Sequence, residues 1–315
     1  MENALYNNES NMQRTKLKIG LALGSGSARG WSHIGIIRVL EEAGIVPDIV
    51  CGTSIGSLVG AAYADGQLDS LERWVRALTW QSVIGLLDLS MNGGLIHGER
   101  LFAFLRSHFN DKDVAALPKA FGTVATELIT GREVWLREGS VIDALRASAA
   151  LPGLFKPHQI KGRLLVDGAL VNPVPVSLCR AMGADLVIAV DLNSDLIGRH
   201  FDLNDATEEP KAPGPPSTYA TVLDKLSMKL GHLRSGPASS PQMPSIFDVL
   251  SISLNIMQVR ITRSRLAGEP ADVLIRPRLA DFALMDYHRA AQAIEEGERA
   301  AHHALYEIKE LSGRR

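Results

Sequence analysis

A chain of 315 residues, with 46% hydrophobic and 22% charged residues and a formal charge of −2, carries enough apolar side chains for one large core or two modest ones. That balance excludes a disordered chain and supplies no global charge to draw nucleic acid. Its two cysteines, Cys51 and Cys179, lie beside apolar segments, which argues against a disulfide framework and for a reducing, cytosolic compartment.

Residues 1–16 read as a flexible polar leader without the apolar stretch of a signal peptide. The run LKIGLAL at 17–23 predicts a strand, GSGSARG at 24–30 a glycine-rich loop, and Ile34, Ile37, Val39 and Leu40 a helix over 32–43 closed by Gly44. A second unit follows the same plan: DIVC enters the GTSIG turn, and residues 55–64 read as a helix stopped near Gly66. Two strand-loop-helix units in succession predict an α/β fold with a mainly parallel central sheet covered by helices.

The spacing over 68–109 is helical, with a break at NGGLIHG, and FGTVATEL and REVWL read as two strands joined at 130–132. A helix over 140–148 leads to LPGLFKP, a second hairpin around KGR, the strand LLVDGAL, a helix over 173–182 with proline in its first turn, and the buried strand ADLVIAVDL. The α/β domain is therefore expected to span 17–193. Residues 194–245 are proline-rich and polar and read as a linker or lid. Within them Tyr219, Leu223, Leu226, Leu230 and Leu233 recur at helical spacing beside basic residues, so 219–234 suits either a lid helix or contact with an anionic membrane. Residues 246–315 are expected to form a mainly helical extension packing on the catalytic domain: a helix at 246–266 buried on the core or on a second subunit, a short strand in ADVLIRP, and a helix at 285–311. The apolar run 249–259 is shorter than the roughly 20 residues of a membrane-spanning helix.

The pattern G-x-S-x-G formed by Gly52, Ser54 and Gly56 also occurs at plain strand-to-helix turns. Here it follows an apolar strand and precedes a helix, the setting that exposes a serine hydroxyl at a helix N-terminus. A serine needs a base to remove its proton. Too little chain precedes Ser54 for the strands of an α/β-hydrolase, and the nine histidines are scattered. His33 reads as a packing residue of the first helix, and His97 and His158 have weaker claims. The loop GSGSARG fails as a dinucleotide fingerprint, because Arg29 stands where the third glycine belongs. Small residues there let backbone amides converge on an anion, so this loop and the serine turn read together as an acyl-transfer site.

In order, GSGSARGWSHIGII, GTSIG, ASAALPGLFKP and VDGALVNPVP resemble the patatin-like phospholipases, in the bacterial branch related to neuropathy target esterase, over about residues 17–193. The resemblance implies a three-layer α/β/α patatin-like fold and a serine esterase with a Ser-Asp dyad: Ser54 as nucleophile, and Asp167 of Asp167-Gly168-Ala169 as its base. It implies an oxyanion hole from Ser25, Gly26, Ser27 and Arg29, supported by Gly24, Gly30, Gly52, Gly56, Gly168 and Ala169. The family loop reads G-G-G-x-[RK]-G, so Ser25 and Ser27 replace glycines, and Arg29 either braces the loop or meets a phosphate. The expected reaction is hydrolysis of phospholipid or lysophospholipid acyl esters through an acyl-serine, with no cofactor and no metal. An acyltransferase on the same acyl-serine and a non-enzymatic regulatory protein keeping the fold are the alternatives. The expected partners are a lipid substrate, a membrane's inner surface in peripheral contact, no nucleic acid, and a second subunit at the C-terminal helices.

Overall fold

In the computed structural model, which describes residues 17–86, 103, 105–106, 111–196 and 246–313, three apolar runs form strands β1 (Ile19–Leu23), β2 (Ile49–Thr53) and β7 (Leu186–Val190). Every residue in them is buried, as a parallel sheet covered on both faces requires. The other strands are β3 (Ala120–Glu127), β4 (Glu133–Leu136), β5 (His158–Ile160), β6 (Arg163–Asp167) and β8 (Val273–Ile275). The eight-stranded sheet has the order β5-β6-β3-β2-β1-β7-β8, with β4 also paired to β3. The pairs β1–β2, β1–β7, β2–β3 and β7–β8 are parallel, while β3–β4, β3–β6 and β5–β6 are antiparallel.

The helices are α1 (Ser32–Glu42), α2 (Ile55–Ala64), α3 (Leu68–Arg76), α4 (Trp80–Leu86), α5 (Val141–Ser148), α6 (Val176–Ala181), α7 (Ile246–Gly268) and α8 (Ala290–Ser312). Alternate strand residues enter two separate cores. Leu21, Leu23, Val50 and Ile188 pack with Ile34 and Ile37 of α1, Val59 of α2 and Ile294 of α8. Ala22, Cys51, Val187 and Ala189 pack on the other face with Leu178 and Cys179 of α6 and Leu266 of α7. The result is a three-layer α/β/α arrangement, in which each fully buried Leu or Ile contributes about 1.5–3 kcal/mol.

The α/β unit expected to close near residue 193 extends further, because β8 of the C-terminal part pairs in parallel with β7 and covers its open edge. α6 begins later than the expected 173, because Pro175, at φ −83° and ψ 56°, lies outside the helical region and precedes the first turn. α7 buries Gln258, Val259 and Thr262 but leaves Val249, Leu250, Ile256 and Met257 exposed, so only one side of its apolar run meets the core. The leader 1–16, the NGGLIHG break with His97, and the stretch 219–234 fall outside the described residues.

The pairing around β3 positions the site. Thr123 and Val124 pair with both β2 and β4, so those two strands lie on opposite edges of β3. Ala125 and Thr126 pair with both β4 and β6, which puts β6 opposite β4 in turn. β2 and β6 therefore share one edge of β3 and meet end to end, with Thr53 against Val124 and Asp167 against Ala125.

Candidate active site

Ser54 is the residue on which β2 turns into α2, and it holds φ 56° and ψ −121°. Such a conformation costs a residue with a β-carbon on the order of 1–3 kcal/mol and persists only when its surroundings fix it. A chain of hydroxyls does so: Ser54 N–H donates to Ser148 Oγ at 2.9 Å, Ser148 shares a 2.9 Å hydrogen bond with Thr123 Oγ1, and Thr123 donates to the Gly52 carbonyl at 2.9 Å. A β-carbon on Gly56 would stand 2.2 Å from the Leu23 carbonyl oxygen, so glycine is required for α2 to cross the end of β1 this closely. The crossing sets the N-terminus of α2, where developing negative charge is favoured, beside the glycine-rich loop.

Asp167 ends β6, and its carboxylate receives two hydrogen bonds: Ser54 Oγ–H donates to Oδ2 at 2.7 Å and Ala169 N–H to Oδ1 at 2.8 Å. The side chain is 1% exposed. Burial lifts its pKa from 3.8 to about 6, against the opposing pull of the Ala169 amide and the Ser54 hydroxyl. Gly168 lets the chain turn close against the interior of β3, since a β-carbon there would lie 2.3 Å from the Val124 carbonyl oxygen. Ser54 and Asp167, 113 positions apart, thus meet because the two strands that carry them abut on β3.

The loop 24–30 forms the facing wall. Ser25 N–H donates to the Pro173 carbonyl at 2.9 Å and Ser25 Oγ–H to Gln258 at 3.2 Å, so Ser25 is engaged in holding the loop, and its amide is not the free donor the sequence suggested. The amides of Gly26 and Ser27 have no backbone acceptor among the described residues. Arg29 is 2% exposed, and its guanidinium donates to the Phe282 carbonyl at 3.2 Å and to Asn193 Oδ1 at 3.1 Å. Burial lowers its pKa to about 10, against the pull of Asp195, so it stays charged at neutral pH. Of its two expected roles, bracing is the one these contacts serve. Gly24, Gly30 and Gly52 stand where a β-carbon would strike the Val190 carbonyl, Ile55 and the Gly56 carbonyl.

His33 does not approach the serine. It is fully buried, its Nε2–H donates to the Gly24 carbonyl at 2.8 Å, and burial lowers its pKa to about 4, so it is a neutral brace beneath the loop. His158 pairs with Asp143 at 3.0 Å, and Asp191 accepts from Asn193 N–H. Four partners of the loop carried no motif: Asn193, Gln258, Tyr287 and the Phe282 carbonyl. Ser148 lay within the quoted ASAALPG segment, and only its burial at a helix end marks it.

Ser54, Asp167, Gly26 and Ser27 open into one cavity whose other walls include Trp31, Trp74, Leu78, Leu145, Leu151 and Phe155. No histidine lines it among the described residues. An apolar chamber ending at a hydroxyl–carboxylate pair and two free amides suits an acyl chain whose carbonyl carbon lies at the serine. Among the described residues no helix is long and apolar enough to cross a membrane.

Residues 21–180 match the family model for patatin-like phospholipase. An uncharacterised NTE family protein of Mycobacterium tuberculosis H37Rv is 32% identical over 328 positions, covering 91% of each chain. Patatin-like phospholipase domain-containing protein 6 of Homo sapiens is 31% identical over 290 positions, which cover 89% of this chain and 20% of that much longer one. Among solved structures, VipD from Legionella pneumophila aligns with a TM-score of 0.47 at 15% identity, over 92% of this chain and 67% of its own.

Proposed function

Because the chain belongs to the patatin-like phospholipase family, we propose that it is a lipid-acyl hydrolase that cleaves phospholipid or lysophospholipid esters through an acyl-Ser54 intermediate. Asp167 Oδ2 takes the proton of Ser54 Oγ as that oxygen attacks the ester carbonyl. The oxyanion is received by the amides of Gly26 and Ser27 and by the positive end of α2. Asp167 then returns the proton to the leaving alcohol. A water that enters after the alcohol departs gives its proton to Asp167 and attacks the acyl-serine. Asp167 passes that proton to Ser54 Oγ as it leaves, which releases the fatty acid and restores Ser54 and the Asp167 carboxylate.

A carboxylate with a pKa of about 6 is ionised at neutral pH and is a stronger base than an ordinary aspartate, which is what a dyad without histidine requires. The observation that carries this reading is the 2.7 Å hydrogen bond from Ser54 to a buried Asp167 at the end of an apolar cavity. Hydrolysis of p-nitrophenyl butyrate and lysophosphatidylcholine by the purified protein, with Ser54→Ala as control, tests it. Turnover that disappears in the variant is expected. Ester hydrolysis that survives Ser54→Ala would refute the assignment.

A further inference from the structure

Ser27 replaces a glycine of the family loop, yet it holds φ 51°, in the left-handed region where glycine is at ease. A β-carbon here is compensated by a contact that a glycine cannot make: Ser27 Oγ lies 2.7 Å from the hydroxyl of Tyr287, 260 positions away. Both residues line the cavity that contains Ser54 and Asp167. The Tyr287 ring is fixed by an edge contact with Trp31, centroids 5.8 Å apart at 62°, and its carbonyl accepts Trp31 Nε1–H at 3.1 Å.

Among the described residues neither hydroxyl has another hydrogen-bond partner. Either hydroxyl can donate in this pair; in the arrangement with the phenol, the stronger acid, as donor, Ser27 Oγ accepts. The Ser27 proton is then left to point into the cavity, beside the unpaired amides of Gly26 and Ser27.

We infer that Ser27 is a catalytic residue, whose hydroxyl donates a third hydrogen bond to the oxyanion formed at Ser54, and that Tyr287 is the positioning residue that orients it. The inference rests on Ser54 being the nucleophile. No proton leaves Ser27 in this role; its hydrogen bond shortens as the carbonyl oxygen gains charge, so it acts on kcat more than on substrate binding.

Steady-state kinetics on p-nitrophenyl butyrate, with thermal melts as a folding control, test it in Ser27→Ala, Ser27→Gly, Tyr287→Phe and the double variant Ser27→Ala/Tyr287→Phe. Both Ser27 variants should lose about 10- to 100-fold in kcat with KM within about twofold, somewhat less than a main-chain-quality donor is worth. Tyr287→Phe should lose less than either, and in the Ser27→Ala background it should add nothing further. Wild-type kcat in Ser27→Gly, which removes the hydroxyl and relieves the backbone, would overturn the inference. So would losses from Ser27→Ala and Tyr287→Phe that multiply in the double variant. Ser54→Ala in the same assay separates the two possible failures: activity surviving there removes the nucleophile itself, whereas an inactive Ser54→Ala beside a fully active Ser27→Gly removes only the third donor.

Discussion

The two walls of the site are held in different ways. Ser54 and Asp167 are set by main chain, at the abutting ends of β2 and β6, with Gly56 and Gly168 allowing backbone to touch backbone. The loop 24–30 is set by side chains and carbonyls from distant parts of the chain. Asn193 Nδ2–H bonds the Ser25 carbonyl and Gln258, Arg29 reaches Asn193 and Phe282, and Ala28 N–H reaches the Leu284 carbonyl. Sheet pairing is redundant, so the first wall tolerates the loss of the Ser54 or Asp167 side chain and then fails in chemistry alone. The second depends on a few buried polar groups, each of which leaves others unpaired when removed.

That contrast is sharpest at Asp167. Asp167→Asn should lower kcat on the order of 10³- to 10⁴-fold while the fold persists, the scale seen when one member of a catalytic unit is lost. Stability should move the other way. Because burial raises this carboxyl from 3.8 to about 6, the folded state holds its proton more tightly than the unfolded state, so stability falls as pH climbs from about 4 to 6 and stays lowered above. The asparagine has no charge to bury, and urea titrations should show it more stable than wild type at pH 8 by at most about 3 kcal/mol, with the gap closing near pH 4. The same shift predicts that wild-type kcat/KM falls below about pH 6, where Asp167 takes up its proton.

Asn193→Ala tests the second wall. It strips partners from Arg29, Gln258 and the Ser25 carbonyl at once, and should cost about 3 kcal/mol in denaturant melts together with roughly a tenfold loss of kcat. Ser148→Ala lies between the walls: it removes the acceptor of the part-buried Ser54 amide and should destabilise by about 1–3 kcal/mol, with a smaller kinetic effect. The smallest change is expected from His33→Gln, which keeps a donor toward the Gly24 carbonyl. Less than about threefold in kcat is expected there, against the 10²- to 10⁴-fold contribution of a general base. A loss of that larger size would move the base from Asp167 to His33.

Legibility divided along the same line. The strand-turn-helix run around Gly52-Thr53-Ser54 is a local pattern, so residue types alone indicated the serine and most of the sheet. Asp167 was indicated by the resemblance to the patatin-like phospholipases, an Asp-Gly pair by itself reading as a turn. Tyr287, Gln258 and Asn193 are ordinary residues at their places in the chain and gain their contacts only when β8 and α7 close on the domain. The boundary drawn at 193 failed for that reason: three residues, Val273–Ile275, are too short a run to announce membership in a sheet whose other strands lie more than 80 positions earlier. Ser25 was misread as a donor because the loop's composition does not disclose that the Pro173 carbonyl lies against its amide.

The most direct measurement is the rate at which a fluorophosphonate probe labels the protein, with the modified residue identified by peptide mass spectrometry, in wild type, Ser54→Ala and Asp167→Asn. Labelling confined to Ser54, absent in the first variant and slowed by about 10³-fold or more in the second, is the predicted result. Asp167→Asn labelled at Ser54 at nearly the wild-type rate would contradict the pairing of this serine with this carboxylate.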